Sequence, residues 1–264
     1  MQHSYALLRR KPSAALAGAV SDLAIYEELA PASIEMREHA SLVVPLVIGF
    51  GAPFHIALGC KPRAEDAHVS FAAGLTSQHV EIASSGGAYC LQVNFTPVGA
   101  RRFFALPMNE LAGAMVDPVS VLGPPFERLR QMLGNETCKE RMFDTVEAYI
   151  VSRLARAAPA RGDVLRTFSR MTRSSGTLPI GMLAELADVS RKHLNRLFLD
   201  EFGLPPKTVS RILRFQRAKD CALQSSHADW SMIAAECGFA DQAHLIREFR
   251  AFSGQTPTAL QSSS

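Results

Sequence analysis

The chain has 264 residues, 47% of them hydrophobic and 20% charged, with a net charge of +3. This is ordinary globular composition, enough for one large domain or two modest ones. The longest apolar run, Leu42 to Ala57, is interrupted by Pro45, Gly49, Gly51, Pro53 and His55, which argues against a membrane-spanning helix. The first ten residues hold no apolar core followed by a small-residue cleavage site, so no secretory signal is expected. Five scattered cysteines (Cys60, Cys90, Cys138, Cys221, Cys237) form no Cys-x-x-Cys pair. That points away from a disulfide framework or zinc site and toward a reducing, cytoplasmic setting. Residues 161–264 carry 14 Lys and Arg against 10 Asp and Glu, a net +4, whereas residues 1–160 carry −1. The basic excess at the C-terminal end is compatible with nucleic acid.

In chain order, residues 6–95 read as β. Short apolar runs at Leu23–Tyr26, Leu42–Phe50, Phe54–Leu58, Val69–Ala73 and Tyr89–Phe95 are separated by Pro, Gly, Ser and Asp clusters, the pattern of a sandwich or barrel. The glycine pair in Ser84-Ser85-Gly86-Gly87 predicts a tight turn into the last of these strands. Beyond Thr96 the texture turns helical, with Pro opening segments at Pro97–Phe104, Pro107–Ala112 and Pro124–Leu133. Over Thr137–Ala158, the residues Met142, Val146, Ile150 and Leu154 fall four apart and make one apolar stripe. Ala157–Gly162 then breaks the pattern and is the expected boundary between a β-rich domain, 1–160, and an all-helical one, 161–264.

The helical domain repeats itself. A shift of 51 positions superimposes Ala184 on Ala235, Ser190 on Asp241, Leu194 on Leu245, Arg196 on Arg247, Phe198 on Phe249, Gly203 on Gly254 and Pro206 on Pro257. Repeats of this kind mark duplicated supersecondary units. Each unit reads as a short helix with an Ala where a partner crosses closely, a tight turn holding Val189 or Phe239, and a second helix capped by Ser190 or Asp241. Leu194, Leu197 and Phe198, and Leu245, Phe249 and Phe252 in the copy, share one face. The opposite side is left to Arg191, Lys192, Asn195 and Arg196, and to Gln242, Ala243, Ile246 and Arg247. His244 lies in the first turn of the second of these helices. This is the helix-turn-helix arrangement, whose second helix enters the major groove of double-stranded DNA. Arg can grip guanine through two hydrogen bonds, and Asn or Gln can do the same for adenine. The rod between the units, Lys207–Leu223, is about 25 Å long, which would set the two units on successive groove segments. Along it, Arg211, Arg214 and Arg217 read as a solvated helix face.

From about Leu178 to Leu260 the sequence resembles the double helix-turn-helix domain of AraC/XylS-type transcription regulators. The resemblance rests on Leu183-Ala184, Val189-Ser190, Leu194, Arg196, Phe198 and Phe202-Gly203, then Ile233-Ala234, Gly238-Phe239, Leu245, Arg247, Phe249, Gly254 and Thr256-Pro257. It implies recognition helices at Arg191–Phe202 and Asp241–Ser253. It also implies base contacts from the positions of Lys192, Asn195 and Arg196, and of Gln242, Ala243, His244 and Arg247. After Pro257 the chain reads Thr-Ala-Leu-Gln, where that family usually carries an aromatic residue and an Arg. The run Leu91–Ala100 with Leu106–Leu111 is similar to the sensor part of one AraC-like subgroup, in which a small cupin-like β-barrel precedes a few helices. The expected fold is thus α+β, with strands over about 20–95, helices over about 97–158 and two helix-turn-helix units beyond.

The resemblance implies a small-molecule effector or self-association through the first domain, a homodimer in the latter case, and RNA polymerase as a partner for an activator. No effector residue can be named from sequence. No enzyme signature stands out: His39, His55, His68 and His79 form no His-x-His, and nucleophile-elbow, phosphate-loop and zinc-protease motifs are absent. Neither a catalytic residue, a metal site nor a cofactor is expected. Two rival readings remain. One is an alkyl-transfer DNA repair protein, which would need a reactive thiolate at Cys90 or Cys60. The other is a DNA-binding protein without a ligand, which would lack a lined cavity in its first domain.

Overall fold

A computed structural model describes residues 5–30, 33–224 and 229–262. Among the described residues the N-terminal part holds ten strands: β1 (Tyr5–Arg10), β2 (Val20–Glu28), β3 (Ile34–Glu38), β4 (Val44–Gly49), β5 (Phe54–Leu58), β6 (Ala67–His68), β7 (Phe71–Ala73), β8 (Val80–Ser84), β9 (Tyr89–Phe95) and β10 (Met115–Val116). They pair antiparallel into a six-stranded sheet, β1-β2-β9-β4-β7-β10, and a four-stranded sheet, β3-β8-β5-β6. The expected barrel is therefore not closed. The edge strands β1 and β3 join no common ladder, and the two sheets face each other as a sandwich. Gly86 (φ 99°) and Gly87 (φ 80°) make the turn from β8 to β9.

Side-chain alternation shows why the central strands read as unbroken apolar runs. Leu23, Ile25, Leu91 and Val93 point from the large sheet into a core shared with the helices, while Tyr26, Val47, Phe71 and Cys90 point at the small sheet. Five helices follow: α1 (Pro97–Phe104), α2 (Pro118–Leu122), α3 (Pro124–Gly134), α4 (Lys139–Arg156) and α5 (Gly162–Arg173). Thr96 caps α1 by accepting from the Gly99 N–H at 3.0 Å. The stripe Met142, Val146, Ile150 and Leu154 of α4 is buried as expected, each side chain contributing about 1.5–3 kcal/mol. The helix expected over Pro107–Ala112 is only a single 3-10 turn, Met108–Glu110.

Among its described residues the C-terminal part is built of helices alone: α6 (Ile180–Leu186), α7 (Arg191–Phe202), α8 (Pro206–Leu223), α9 (Trp230–Glu236), α10 (Gln242–Ser253) and α11 (Pro257–Ser262). It is docked on the β-rich part at two places, each marked by a glycine of the repeat. Gly203 ends α7 with φ +77°, and a Cβ there would stand 2.7 Å from the Met108 carbonyl oxygen. Gly254 ends α10 with φ +69°, and a Cβ there would meet the His79 ring at 2.9 Å. Both positions need glycine twice over, for the left-handed conformation and for the close approach. Nearby, the Ala40 N–H donates to the Phe252 carbonyl at 2.8 Å, and His39 stands edge-on to Phe215 of α8, centroids 6.3 Å apart. Beside the first contact, Arg101 of α1 faces Asp200 and Glu201 of α7 at 3.6 and 3.8 Å. Burial raises the Glu201 carboxyl above its ordinary range.

Candidate nucleic-acid interface

Each unit is assembled from the same local bonds. In the first, the Val189 N–H donates to the Ala184 carbonyl at 3.0 Å across a turn whose Asp188 has φ +53°. In the second, the Phe239 N–H donates to the Ala234 carbonyl at 2.9 Å, with Gly238 at φ +75°. Ser190 Oγ then accepts from the His193 N–H at 3.1 Å, and Asp241 Oδ1 accepts from the His244 N–H at 2.6 Å. These caps satisfy amides that a helix start leaves unpaired.

The bonds correct the repeat. Through the first helix and turn the two units match at a shift of 50 (Ala184 with Ala234, Val189 with Phe239), and only from the caps onward at 51. Ala234, not Ala235, is therefore the small residue at the helix crossing: Ala184 and Ala234 are buried, while Ala235 is exposed. The extra residue in the second turn is Ala240. Its N–H donates to His244 Nδ1 at 3.2 Å, and the His244 ring lies edge-on to Phe239 with Nε2 3.5 Å from Glu248 Oε1. His244, expected at the DNA surface, is thus tied into the turn of its own unit. The longer turn requires a side chain to close it, and the histidine ring supplies the acceptor.

The apolar faces pack as the sequence indicates, with Leu194, Leu197, Phe198, Leu245, Phe249 and Phe252 all buried. Between the units, α8 is less a solvated rod than a core element. Phe215 stands edge-on to Phe249 at 4.9 Å. Arg211 Nε reaches both Glu248 oxygens at 3.1 and 2.9 Å, and its guanidinium lies 5.0 Å from the centre of the Phe252 ring. Arg214 donates to the Gly176 carbonyl at 3.3 Å and covers Phe239, and burial lowers its pKa. The solvated reading holds for Arg217 alone, because a helix gripped by α7, α9 and α10 leaves little of its circumference to water.

The remaining predicted site residues lie on the outer surface. Arg191, Lys192, Asn195 and Arg196 on α7 are exposed, as are Gln242, Ala243 and Arg247 on α10, and Ile246 is half-buried. Lys192, Asn195 and Arg247 make no side-chain hydrogen bond or ion pair with any other described residue. Arg196 donates to His193 Nδ1 at 3.0 Å one helical turn back. Gln242 Oε1 accepts from Ser231 Oγ at 3.2 Å. Arg191 lies back over Gly181, where a Cβ would fall 2.4 Å from its Nη2. Helices α7 and α10 each begin with a capped, positively polarised end and carry exposed donors, Lys192 and Asn195 on the first and Arg247 on the second, that bond to no other described residue.

One feature of the first part was invisible in sequence. Between the two sheets lies a chamber of about 310 Å³ that shares much of its wall with a recess of about 90 Å³. Both are lined by Glu38, the last residue of β3. The only signal was the alternation of Met36 and Glu38, which places them on one face once β3 is known to be a strand. Cys90 also lines the chamber, and burial pushes its thiol up to about 12, the reverse of what a reactive thiolate requires.

Residues 183–263 match the helix-turn-helix domain family. A regulator from Mycobacterium tuberculosis, HTH-type transcriptional regulator Rv1931c, is 34% identical over 85 residues, which are 32% of this chain and 32% of that protein. The match therefore spans about a third of the relative's length. An AraC-type DNA-binding domain-containing regulator of Chromobacterium violaceum is 26% identical over 38% of this chain and 90% of that structure, with a TM-score of 0.35. ToxT of Vibrio cholerae is 9% identical over 98% of this chain and 97% of its own, with a TM-score of 0.46.

Proposed function

We propose that this chain, whose residues 183–263 form an AraC-type helix-turn-helix domain, is a cytoplasmic sequence-specific transcription regulator. The two capped helices α7 and α10 would enter successive major-groove segments of double-stranded DNA. Residues 1–160 would act as the sensor or dimerisation domain and residues 161–264 as the reader. The observation that carries this reading is the exposed set Lys192, Asn195, Arg196 and Arg247, held on rigid helices with donors turned away from the protein. Arg191, Gln242 and Ala243 complete the surface, and His244 shapes it from behind. Among the described residues no helix is long and apolar enough to cross a membrane.

Control would pass from the β-rich part through its two contacts with the reader. Gly203 against Met108 fixes the end of α7, and Gly254 against His79 fixes the end of α10. A small molecule in the chamber, or self-association into a homodimer, would alter the spacing of the two reading helices by shifting these contacts. An activator would also meet RNA polymerase. In this reading the protein performs no covalent chemistry, which the buried Cys90 supports.

Fluorescence anisotropy on a site selected from random duplexes tests the reading. Phosphate neutralisation releases counterions, so affinity should fall steeply with salt, by about a thousandfold or more between 50 and 200 mM for some six to ten phosphate contacts. An affinity independent of salt would remove DNA as the partner.

A further inference from the structure

The two sheets end in four outer strands, β1 and β10 on the larger and β3 and β6 on the smaller. Three of these edges are blunted in ways that keep a strand from pairing with another molecule. β6 and β10 are only two residues long, and β3 carries Glu35, Arg37 and Glu38, all exposed. β1 has neither protection at its centre. It runs for six residues, Tyr5-Ala6-Leu7-Leu8-Arg9-Arg10, and among the described residues no strand lies beyond it. Leu7 and Leu8 are 45% and 39% exposed, although β2 pairs with β1 along its whole length. Packing within one chain leaves these two leucines half in water.

The strand is also matched to itself. Two copies related by a two-fold axis perpendicular to the sheet run antiparallel, and residues opposite one another then lie on the same face. With the axis at Leu7, Leu7 meets Leu7, Ala6 meets Leu8, and Tyr5 meets Arg9. Apolar side chains lie against apolar ones at the centre. The two Arg9 guanidiniums fall at opposite ends, each beside an aromatic ring. Arg9 keeps its partner Asp22 at 3.1 Å, and Arg10 is held toward α4 by Asp144 at 2.7 Å. Moving the axis to Leu8 would instead set Leu7 against Arg9 and Ala6 against Arg10, a cation against an apolar side chain on both sides of the centre.

We infer that β1 pairs antiparallel with β1 of a second copy of this chain, in the register centred on Leu7, so that the two six-stranded sheets become continuous. This rests on the regulator reading proposed above and gives its self-association a surface. Backbone hydrogen bonds between the two strands supply the attraction, and the side chains on either face fix the register. Tyr5, Leu7 and Arg9 also line the chamber, so the seam sets the chambers of the two copies side by side. A ligand that touches the β1 wall of one chamber thereby touches the seam.

The test is sedimentation equilibrium of the full chain, as wild type and as Leu7→Lys. Wild type should form a dimer at micromolar concentration. Leu7→Lys sets two like charges against each other at the axis and should weaken the dimer about tenfold or more. Circular dichroism and the fluorescence of Trp230 should stay as in the wild type, because the replaced side chain is an exposed one. Leu7→Cys, made together with Cys60→Ser to remove the exposed native thiol, should give a disulfide-linked dimer on oxidation with diamide. Leu8→Cys in the same background, whose counterpart is Ala6, should cross-link far more slowly. A wild type that stays monomeric, a dimer indifferent to Leu7→Lys, or cross-linking at position 8 as fast as at position 7 would overturn the inference. DNA affinity of the same preparations is measured alongside. Intact DNA binding by a monomer sinks this inference alone, whereas a dimer through β1 without DNA binding sinks the regulator reading alone.

Discussion

The pair Arg211–Glu248 holds α10 to α8, the helix that joins the two units, and breaking it should have a measurable cost. Removing one partner of a fully buried ion pair costs about 3–5 kcal/mol, and a solvent-exposed pair contributes about 0–1 kcal/mol. Here the Glu248 side chain is 9% exposed and the Arg211 side chain 31%. A single Nε–H is shared between both carboxylate oxygens, weaker than a two-pronged guanidinium contact. The expected loss for Glu248→Gln is therefore intermediate, about 2 kcal/mol, and similar for Arg211→Met, which keeps the stem over Phe252. Because Glu248→Gln leaves Arg211 without its carboxylate and Arg211→Met leaves Glu248 with His244 alone, the double variant should lose about 1–2 kcal/mol less than the sum. Urea unfolding followed by tryptophan fluorescence suits the measurement, since Trp230 is the chain's single tryptophan and lies 5.7 Å from Phe249. Losses that add to within about 0.3–0.5 kcal/mol would show the pair uncoupled and refute the reasoning.

Three further outcomes are expected. Arg196→Ala and Arg247→Ala should each weaken binding to a selected DNA site by about 1–3 kcal/mol in a gel-shift titration, with the unfolding curve unmoved. Unchanged affinity would take either residue off the interface. In native protein Ellman's reagent should label exposed Cys60 and spare Cys90 and Cys237, whose thiols burial holds up at about 12 and 11; prompt labelling of Cys90 would contradict the packing of the chamber. Burial, then Lys219, Arg37 and His79, lower the pKa of His39 below its ordinary 6.5. A depressed folded-state value means the unfolded chain takes up the proton first. The stability held at the contact of His39 with Phe215 should thus be present above about pH 6.5 and decline as the pH falls below it. His39→Gln should flatten that decline in thermal unfolding, and an unaltered pH profile would refute it.

The helices of residues 161–264 were legible because their ends are written in residue types. Ser190 and Asp241 start α7 and α10, and Gly203 and Gly254 stop them, each for a reason that needs no tertiary context. The strands β3 and β8 were not legible. Ile34-Glu35-Met36-Arg37-Glu38 offers two apolar residues among charges, and its strand identity comes from the ladder with β8. The open sandwich likewise depends on which edges remain unpaired, a long-range outcome with no local signature. At the interface, the exposed residues followed from helical periodicity, but the roles of Arg211, Arg214 and His244 did not. An arginine on a rod or a histidine in a first turn has the same local sequence whether it faces water or a neighbouring carboxylate. The one-residue difference between the turns was hidden for a related reason. Alanines at 234 and 235 allow either alignment, and only the Phe239-to-Ala234 bond decides between them.

The most direct test is a hydroxyl-radical footprint on a selected site, with wild type, Arg196→Ala and Arg247→Ala compared on the same duplex. Two recognition helices on one chain predict two protected segments about 10–10.5 base pairs apart on one face of the DNA. Arg196→Ala should weaken one segment and Arg247→Ala the other. A single protected segment, or two that respond identically to both substitutions, would contradict the assignment of α7 and α10 to separate groove segments.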